Sequence, residues 1–109
     1  MDTSSSGLDY ELDAEVRVDH GRQLKAMADP LRSQILDLVL DRAASVTELA
    51  DAVGRPKSSV AYHVDVLVDA GLLKVVRTRK VRAIEERFYG RVARTIVYDG
   101  LTAGTPGDF

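Results

Sequence analysis

Four polar side chains come together where a helix is expected to begin: Lys57, Ser58, Ser59 and Tyr62. Side chains of these types form hydrogen bonds with phosphate oxygens and with the edges of bases. The N-terminal end of a helix also favours phosphate, because its N–H groups are unpaired and its dipole is positive there. These four residues are therefore the predicted nucleic-acid contacts, with a merely solvated helix face as the alternative.

Four cations follow in the next segment: Arg77, Arg79, Lys80 and Arg82. Apolar and polar residues alternate after Leu72, which predicts a strand. The pattern indicates a β-hairpin over Leu72–Tyr89 with a charged tip at residues 78–82 and a return strand anchored by Ile84, Phe88 and Tyr89. The cations would lie along a phosphate backbone or enter the minor groove. A solvated edge protected from aggregation is the alternative.

The elements that must position these residues are two short helices joined by a tight turn. Ser45 and Glu48 have the spacing of a capping box, which predicts a helix start. Gly54 follows as the turn residue, because glycine adopts a left-handed conformation without steric cost. The second helix is expected to begin around Pro56–Ser58 and to stop at Gly71, with a predicted inner stripe of Val60, Val64 and Leu67. This layout is typical of a helix-turn-helix.

The charge is divided unevenly along the chain. The whole sequence has 15 basic and 17 acidic residues, a net charge of −2. Residues 1–53 carry a net −6, whereas residues 54–109 carry a net +4. The basic charge is concentrated on the second helix and the hairpin, which favours a local nucleic-acid footprint on an otherwise acidic protein.

The flanking segments predict further elements. Asp29 and Pro30 have the types expected at the cap and first position of a helix, whose apolar stripe would be Leu31, Ile35, Leu38 and Val39. Residues 10–19 alternate strictly, which predicts a strand with one buried face. Residues 95–98 are also strand-like, and the two segments are expected to pair within one chain or across a dimer.

The segments LKAMADPLRSQILDLV and SVTELADAVGRPKSSVAYHVDVLVDAGLL, with the hairpin ending ERFYGRVAR, resemble the ArsR-type (arsenical-resistance repressor-like) winged helix-turn-helix regulators over residues 20–94. The resemblance implies a dimeric prokaryotic DNA-binding regulator, often a repressor released by a ligand. It also implies that the hairpin is the wing, and that His63 matches a histidine common in the family's recognition helix.

Two departures from that family change the expectation. The chain has no cysteine, so a thiolate metal site or a thiol switch is excluded, and only His20 and His63 offer imidazole. No metal and no cofactor are therefore expected, and His63 is expected to pack or to contact DNA. Asp65 stands where family members usually have a basic residue, so the reading surface is expected near the helix start.

The fold expected is mainly α with a small β component: about four helices, a two-stranded antiparallel wing, and extra terminal strands. Residues 10–99 form the predicted domain, between disordered tails at residues 1–9 and 100–109. The expected function is a cytoplasmic, homodimeric, sequence-specific regulator of double-stranded DNA, most simply a repressor, with any small-molecule effector unknown. No enzyme and no membrane association are expected. A winged-helix module that binds protein is the alternative.

Overall fold

The computed structural model describes residues 9–18 and 21–98. Its elements are β1 (Asp13–Val18), α1 (Gly21–Ala28), α2 (Pro30–Leu38), α3 (Val46–Val53), α4 (Lys57–Asp69), β2 (Leu73–Val81), β3 (Ile84–Arg91) and β4 (Ala93–Tyr98). The helices and the antiparallel β2–β3 pair form a winged helix-turn-helix, which confirms the predicted fold class. β1 and β4 pair in parallel within the chain as a separate two-stranded sheet. His20 and most of both predicted tails lie outside the described residues.

Local sequence signals determine where α2 and α3 begin. The Asp29 carboxylate accepts a hydrogen bond from the Leu31 N–H at 2.8 Å, ahead of a helix that starts with Pro30. The capping box of α3 is complete: Glu48 N–H donates to Ser45 Oγ at 3.2 Å, and Ser45 N–H donates to Glu48 Oε1 at 3.0 Å. Gly54 ends α3 in the left-handed region with φ of 70°. These predicted boundaries are confirmed.

The core lies where the four helices meet the base of the wing. The predicted inner stripe of α4 is fully buried, with Val60, Val64 and Leu67 at 0% exposure. The predicted stripe of α2 is wrong at one position, because Leu38 is 43% exposed and Leu36 is buried in its place. α2 packs against both α3 and α4. Its buried face is therefore rotated toward Leu36 relative to the face that periodicity alone selects.

The wing is longer than predicted, and its turn lies further along the chain. β2 continues to Val81, which pairs with Ile84, so the connection is the two-residue turn Arg82–Ala83. Residues 78–81 thus belong to a strand rather than to the tip. Ile84 is also not an anchor, because it is 71% exposed beside the turn, whereas Phe88 and Tyr89 are buried as predicted. Periodicity cannot locate this turn because its residues are not those that turns usually select.

A short bridge joins the wing to the helix-turn-helix. Ala44, just before α3, pairs with Tyr89 of β3 through two backbone hydrogen bonds of 2.8 and 3.1 Å. Ser45, the cap of α3, directly follows this bridge and is 1% exposed. The start of α3 and the base of the wing are therefore held as one unit.

The N-terminal segment packs against the two residues of β3 that follow Tyr89. Tyr10 packs its ring against Gly90, where an added Cβ would lie 2.6 Å from the ring. The Tyr10 hydroxyl accepts a hydrogen bond from the Arg91 N–H at 2.7 Å and donates to the Val39 carbonyl. The predicted strand over residues 10–19 therefore begins later, at Asp13. Tyr10 is not part of the strand, because its ring packs against Gly90 and its hydroxyl bonds to Val39 and Arg91.

Two negative observations hold for residues 9–18 and 21–98. No helix in these ranges combines the length and the apolar character needed to traverse a bilayer. The same ranges bring no three His, Cys, Asp or Glu side chains together as metal ligands would be.

Candidate nucleic-acid interface

The start of α4 presents polar groups outward. Pro56 is its N-cap and makes no side-chain hydrogen bond, so an external acceptor can reach the N–H groups of the first turn. Lys57 and Ser58 are exposed, Ser59 is half-buried, and Tyr62 is 62% exposed. Ser58 and Tyr62 lie on the side of α4 away from its buried stripe, whereas Lys57 and Ser59 flank that stripe at the start of the helix. Lys57, Ser58 and Tyr62 are therefore accessible, and their contact with DNA stays a prediction.

His63, the next residue after Tyr62, points partly inward. Its Nδ1 lies 2.8 Å from Nη1 of Arg32 on α2, and its ring meets the Tyr62 ring edge-on with centroids 5.2 Å apart. The predicted DNA contact at His63 therefore has one nitrogen already engaged within the protein. The Arg32 side chain also donates from Nε to the Ala26 carbonyl at 2.6 Å, so it serves as a structural link between α2, α1 and α4.

Arg77 and Arg79 lie on the same face of β2 and are both paired with carboxylates. Arg77 Nη2 lies 2.8 Å from Asp9 Oδ2, and Arg79 Nη2 lies 2.7 Å from Glu86 Oε1. Both guanidinium groups stand 5.3 Å from the centre of the Phe88 ring, within the range of a cation–π contact. These two predicted phosphate contacts are therefore held in place, but they are also neutralised.

The pKa values of the two carboxyl groups reflect these ion pairs. The hydrogen bond from Arg77, followed by one from the Ala43 N–H, lowers the pKa of Asp9 from its ordinary value of 3.8. The hydrogen bond from Arg79 lowers the pKa of Glu86 from 4.5, and the charge of Lys57 contributes to the same shift. The lowered pKa values agree with the two ion pairs that hold Arg77 and Arg79.

Lys80 and Arg82 lie further out and are exposed. Neither forms an ion pair with the side chains that the structure describes. Arg82 occupies the first position of the two-residue turn with φ of 59°, a left-handed conformation that usually requires glycine, asparagine or aspartate. Such a conformation costs on the order of 1–2 kcal/mol for an ordinary residue. The turn therefore carries an arginine at a position where local stability favours another residue.

Sequence patterns do not predict three residues that belong to this surface or hold its strands in place: Asp9, Glu86 and Arg91. Asp9 and Glu86 are the acidic partners of the wing arginines, and their partnership is a tertiary contact without a local pattern. Arg91 is 7% exposed and donates to the carbonyls of Ala93 and Arg94 at 3.0 and 2.7 Å, so it braces the corner between β3 and β4. Only the cross-strand spacing of a hairpin with a known turn could have indicated the pair with Glu86.

Comparisons with known proteins agree with this geometry. Residues 27–76 match a family model described as a helix-turn-helix domain. The chain is 41% identical over 56 residues to the HTH-type transcriptional regulator KmtR of Mycobacterium tuberculosis, covering 51% of this chain and 41% of KmtR. It is 36% identical to the solved structure of HlyU from Vibrio cholerae, with a TM-score of 0.53 over 64% of this chain and 71% of HlyU.

A third relative links the fold to a named family. The homodimeric winged helix-turn-helix DNA-binding domain Mb0332 of Mycobacterium bovis, a possible ArsR-family transcriptional regulator, has a TM-score of 0.55 and 26% identity. That match covers 66% of this chain and 62% of the Mb0332 chain. The chain belongs to the ArsR-type family. The resemblance inferred from the sequence is thereby confirmed, and the ArsR-type proteins that it matches are transcriptional regulators rather than enzymes.

The family-model match covers the helix-turn-helix part of this chain. The chain spans 41% of the length of KmtR, and the matched segment of the family model runs from α1 to β2. The start of α4 falls within it, but only the first four residues of β2 do, so the wing cations from Arg77 onward lie outside it. The match therefore covers the start of α4 and not the charged part of the wing.

Proposed function

We propose that this protein is a sequence-specific, double-stranded DNA-binding transcriptional regulator. The observation that carries the proposal is the outward polar start of α4, with Tyr62 at 62% exposure on the face opposite a fully buried stripe. A helix of this kind enters the major groove with its N-terminal residues against base edges. Lys57, Ser58, Ser59 and Tyr62 would read the bases or bind the adjacent phosphates.

The wing would bind the backbone beside the groove. Lys80 and Arg82 are exposed at its outer end and can meet phosphates directly. Arg77 and Arg79 can join them only by giving up Asp9 and Glu86, so their contribution to binding is an exchange of one anion for another. His63 would reach DNA only through the nitrogen that Arg32 leaves unused.

We further propose that the protein acts as a homodimer in the cytoplasm, where it represses transcription. Two copies would place their α4 helices about one DNA turn apart, roughly 34–36 Å. The homodimeric state of the Mb0332 domain supports this arrangement. Repression is the outcome that the family resemblance favours, and any small-molecule effector stays unassigned.

The test is a selection of bound duplexes from fragmented genomic DNA, followed by fluorescence anisotropy on the recovered sequence. We expect a palindromic site and binding that weakens steeply with salt, because each phosphate contact releases counterions. A heparin column run at rising salt gives an independent readout of the basic surface. No enrichment of any sequence, together with no retention on heparin, would reject the DNA-binding proposal.

One observation favours a second candidate, a module that binds another protein. Val81 and Ile84 are a cross-strand pair at the end of the wing and are 45% and 71% exposed. An exposed apolar pair is unusual beside phosphate and typical of a protein contact. Changing both residues to threonine separates the candidates: a DNA-binding wing keeps its affinity for the selected duplex, whereas a protein-binding wing loses its partner.

A further inference from the structure

We infer that Arg32 and His63 act together as positioning residues for Tyr62, so that α2 determines the orientation of the reading side chain on α4. This inference rests on the proposed function and deepens it. Arg32 and His63 are not among the predicted contacts at the start of α4. Through Tyr62 they nevertheless help to discriminate one DNA sequence from another.

The Arg32 guanidinium bridges two other helices. Its Nε donates to the Ala26 carbonyl of α1 at 2.6 Å, and its Nη1 lies 2.8 Å from His63 Nδ1 on α4. The backbone N–H of Arg32 also donates to the Asp29 carboxylate at 3.3 Å, which fixes the start of α2. Because the guanidinium is planar, the bond to Ala26 restricts where Nη1 can point. Arg32 therefore joins α1, α2 and α4 through one rigid side chain.

The contact with Arg32 also orients the His63 ring. A guanidinium only donates, so Nδ1 is the acceptor in this hydrogen bond. The bond fixes the plane of the imidazole. Asp29, the N-cap of α2, accepts a hydrogen bond from the Arg32 N–H at 3.3 Å, so a carboxylate also lies beside this cluster.

The fixed ring in turn limits where Tyr62 can point. The two rings meet edge-on, with centroids 5.2 Å apart and an angle of 69° between their planes. Such an aromatic pair is worth about 0.5–1.5 kcal/mol beyond the burial of its surface. Tyr62 is 62% exposed, so general packing restrains its rotamer weakly and this one contact matters. Adjacent helical residues do not ordinarily face each other, which makes the contact a property of these two rotamers.

A positioning role and a direct contact by His63 make different predictions. If His63 binds phosphate through Nε2, its loss weakens binding to every duplex alike, because phosphates carry no sequence information. If His63 positions Tyr62, its loss reduces the preference for the selected duplex over random duplex. The quantity to measure is therefore the discrimination ratio, the Kd for a random-sequence duplex divided by the Kd for the selected duplex.

The experiment compares His63→Phe, which keeps a ring but removes the acceptor, with Arg32→Met and Arg32→Lys. Arg94→Met on β4 is the control for loss of an arginine outside this cluster. We expect His63→Phe and Arg32→Met each to lower the discrimination ratio by about tenfold, the size expected when one base is no longer read. Arg32→Lys keeps a donor and should recover most of the ratio, and Arg94→Met should leave it unchanged.

A double-mutant cycle with Tyr62→Ala decides whether the effect passes through Tyr62. In the Tyr62→Ala background, His63→Phe should have no further effect on the ratio. Melting temperatures confirm that each variant is folded, and if Arg32→Met does not fold, the His63→Phe cycle still gives the answer. An unchanged ratio in His63→Phe, or an additive cycle, overturns the inference. A wild-type protein that shows no discrimination between duplexes instead rejects the proposed function itself.

Discussion

The start of α4 and the wing present their polar groups in opposite ways. At the start of α4, the outward side chains are accessible, and none forms an ion pair with the described side chains. At the base of the wing, Arg77 and Arg79 are already bound to carboxylates and stacked on Phe88. The side chains at the start of α4 can thus contact DNA without breaking an ion pair. Arg77 and Arg79, in contrast, must exchange a carboxylate for a phosphate. Sequence preference and general affinity should therefore respond to different substitutions.

The largest effect is expected at the reading surface. Tyr62→Ala should change the preferred base at one position of the site, with a loss of about 1–3 kcal/mol for the original base. Affinity for random duplex should change little, because Tyr62 carries no charge. The measurement is a repeat of the duplex selection with the variant, and Tyr62→Phe separates the hydroxyl from the ring. An unaltered selected sequence would contradict the reading role of Tyr62.

The next effect is expected in the wing. Changing Arg79 and Lys80 together to alanine should weaken binding to all duplexes and flatten the salt dependence by about one for each phosphate that the wing no longer neutralises. The two single variants sharpen the comparison. Lys80→Ala should account for more of the change than Arg79→Ala, because Arg79 must first give up Glu86. Equal effects from the two would show that the ion pair does not compete with DNA.

A smaller effect of opposite sign is expected at the N-terminal segment. Asp9→Asn removes the carboxylate that holds Arg77, so affinity for any duplex should rise by about two- to fivefold at low salt, with a steeper salt dependence. Asp41→Asn is the matched control, since it removes a nearby exposed acid that forms no ion pair with the described wing residues. If Asp9→Asn and Asp41→Asn raise the affinity equally, the gain comes from removing a negative charge that repels DNA. The release of Arg77 would then not explain it.

The smallest effect concerns the stability of the wing against pH. The pKa of Glu86 is lowered in the folded protein by the hydrogen bond from Arg79. The pair therefore contributes its full stability above the ordinary value of 4.5, and this contribution is lost as the pH falls through the lower folded value. Wild type and Glu86→Gln should differ in melting temperature by about 1–2 °C at neutral pH, because exposed pairs contribute little. The difference should disappear in acid.

What could be predicted from the sequence is what depends on neighbours in the chain. The Ser45 capping box, the Asp29 cap and the Val60–Val64 stripe each follow from contacts within one or two turns, and each is confirmed. The outward face of α4 follows from the same periodicity. These signals suffice to predict that Ser58 and Tyr62 face away from the core.

What could not be predicted depends on contacts between distant residues. Leu36 replaces Leu38 in the core because α2 is rotated by its packing against other helices. The turn at Arg82 is strained, so no turn signal marks it. Asp9 reaches Arg77 only after the N-terminal segment has been laid across the base of the wing. The sequence therefore identifies the cations of the wing but does not predict that Arg77 and Arg79 are paired with carboxylates.

The parallel pairing of β1 with β4 has a consequence for the order in which the protein folds. Asp13 pairs with Ala93, so this sheet closes a loop that contains nearly all the other described elements. Closing a long loop costs chain entropy, and folding is slower where contacts join distant residues. The helices and the β2–β3 hairpin need only local contacts and can form earlier. On the ribosome, β1 must therefore wait for almost the whole domain to be synthesised before its partner strand exists.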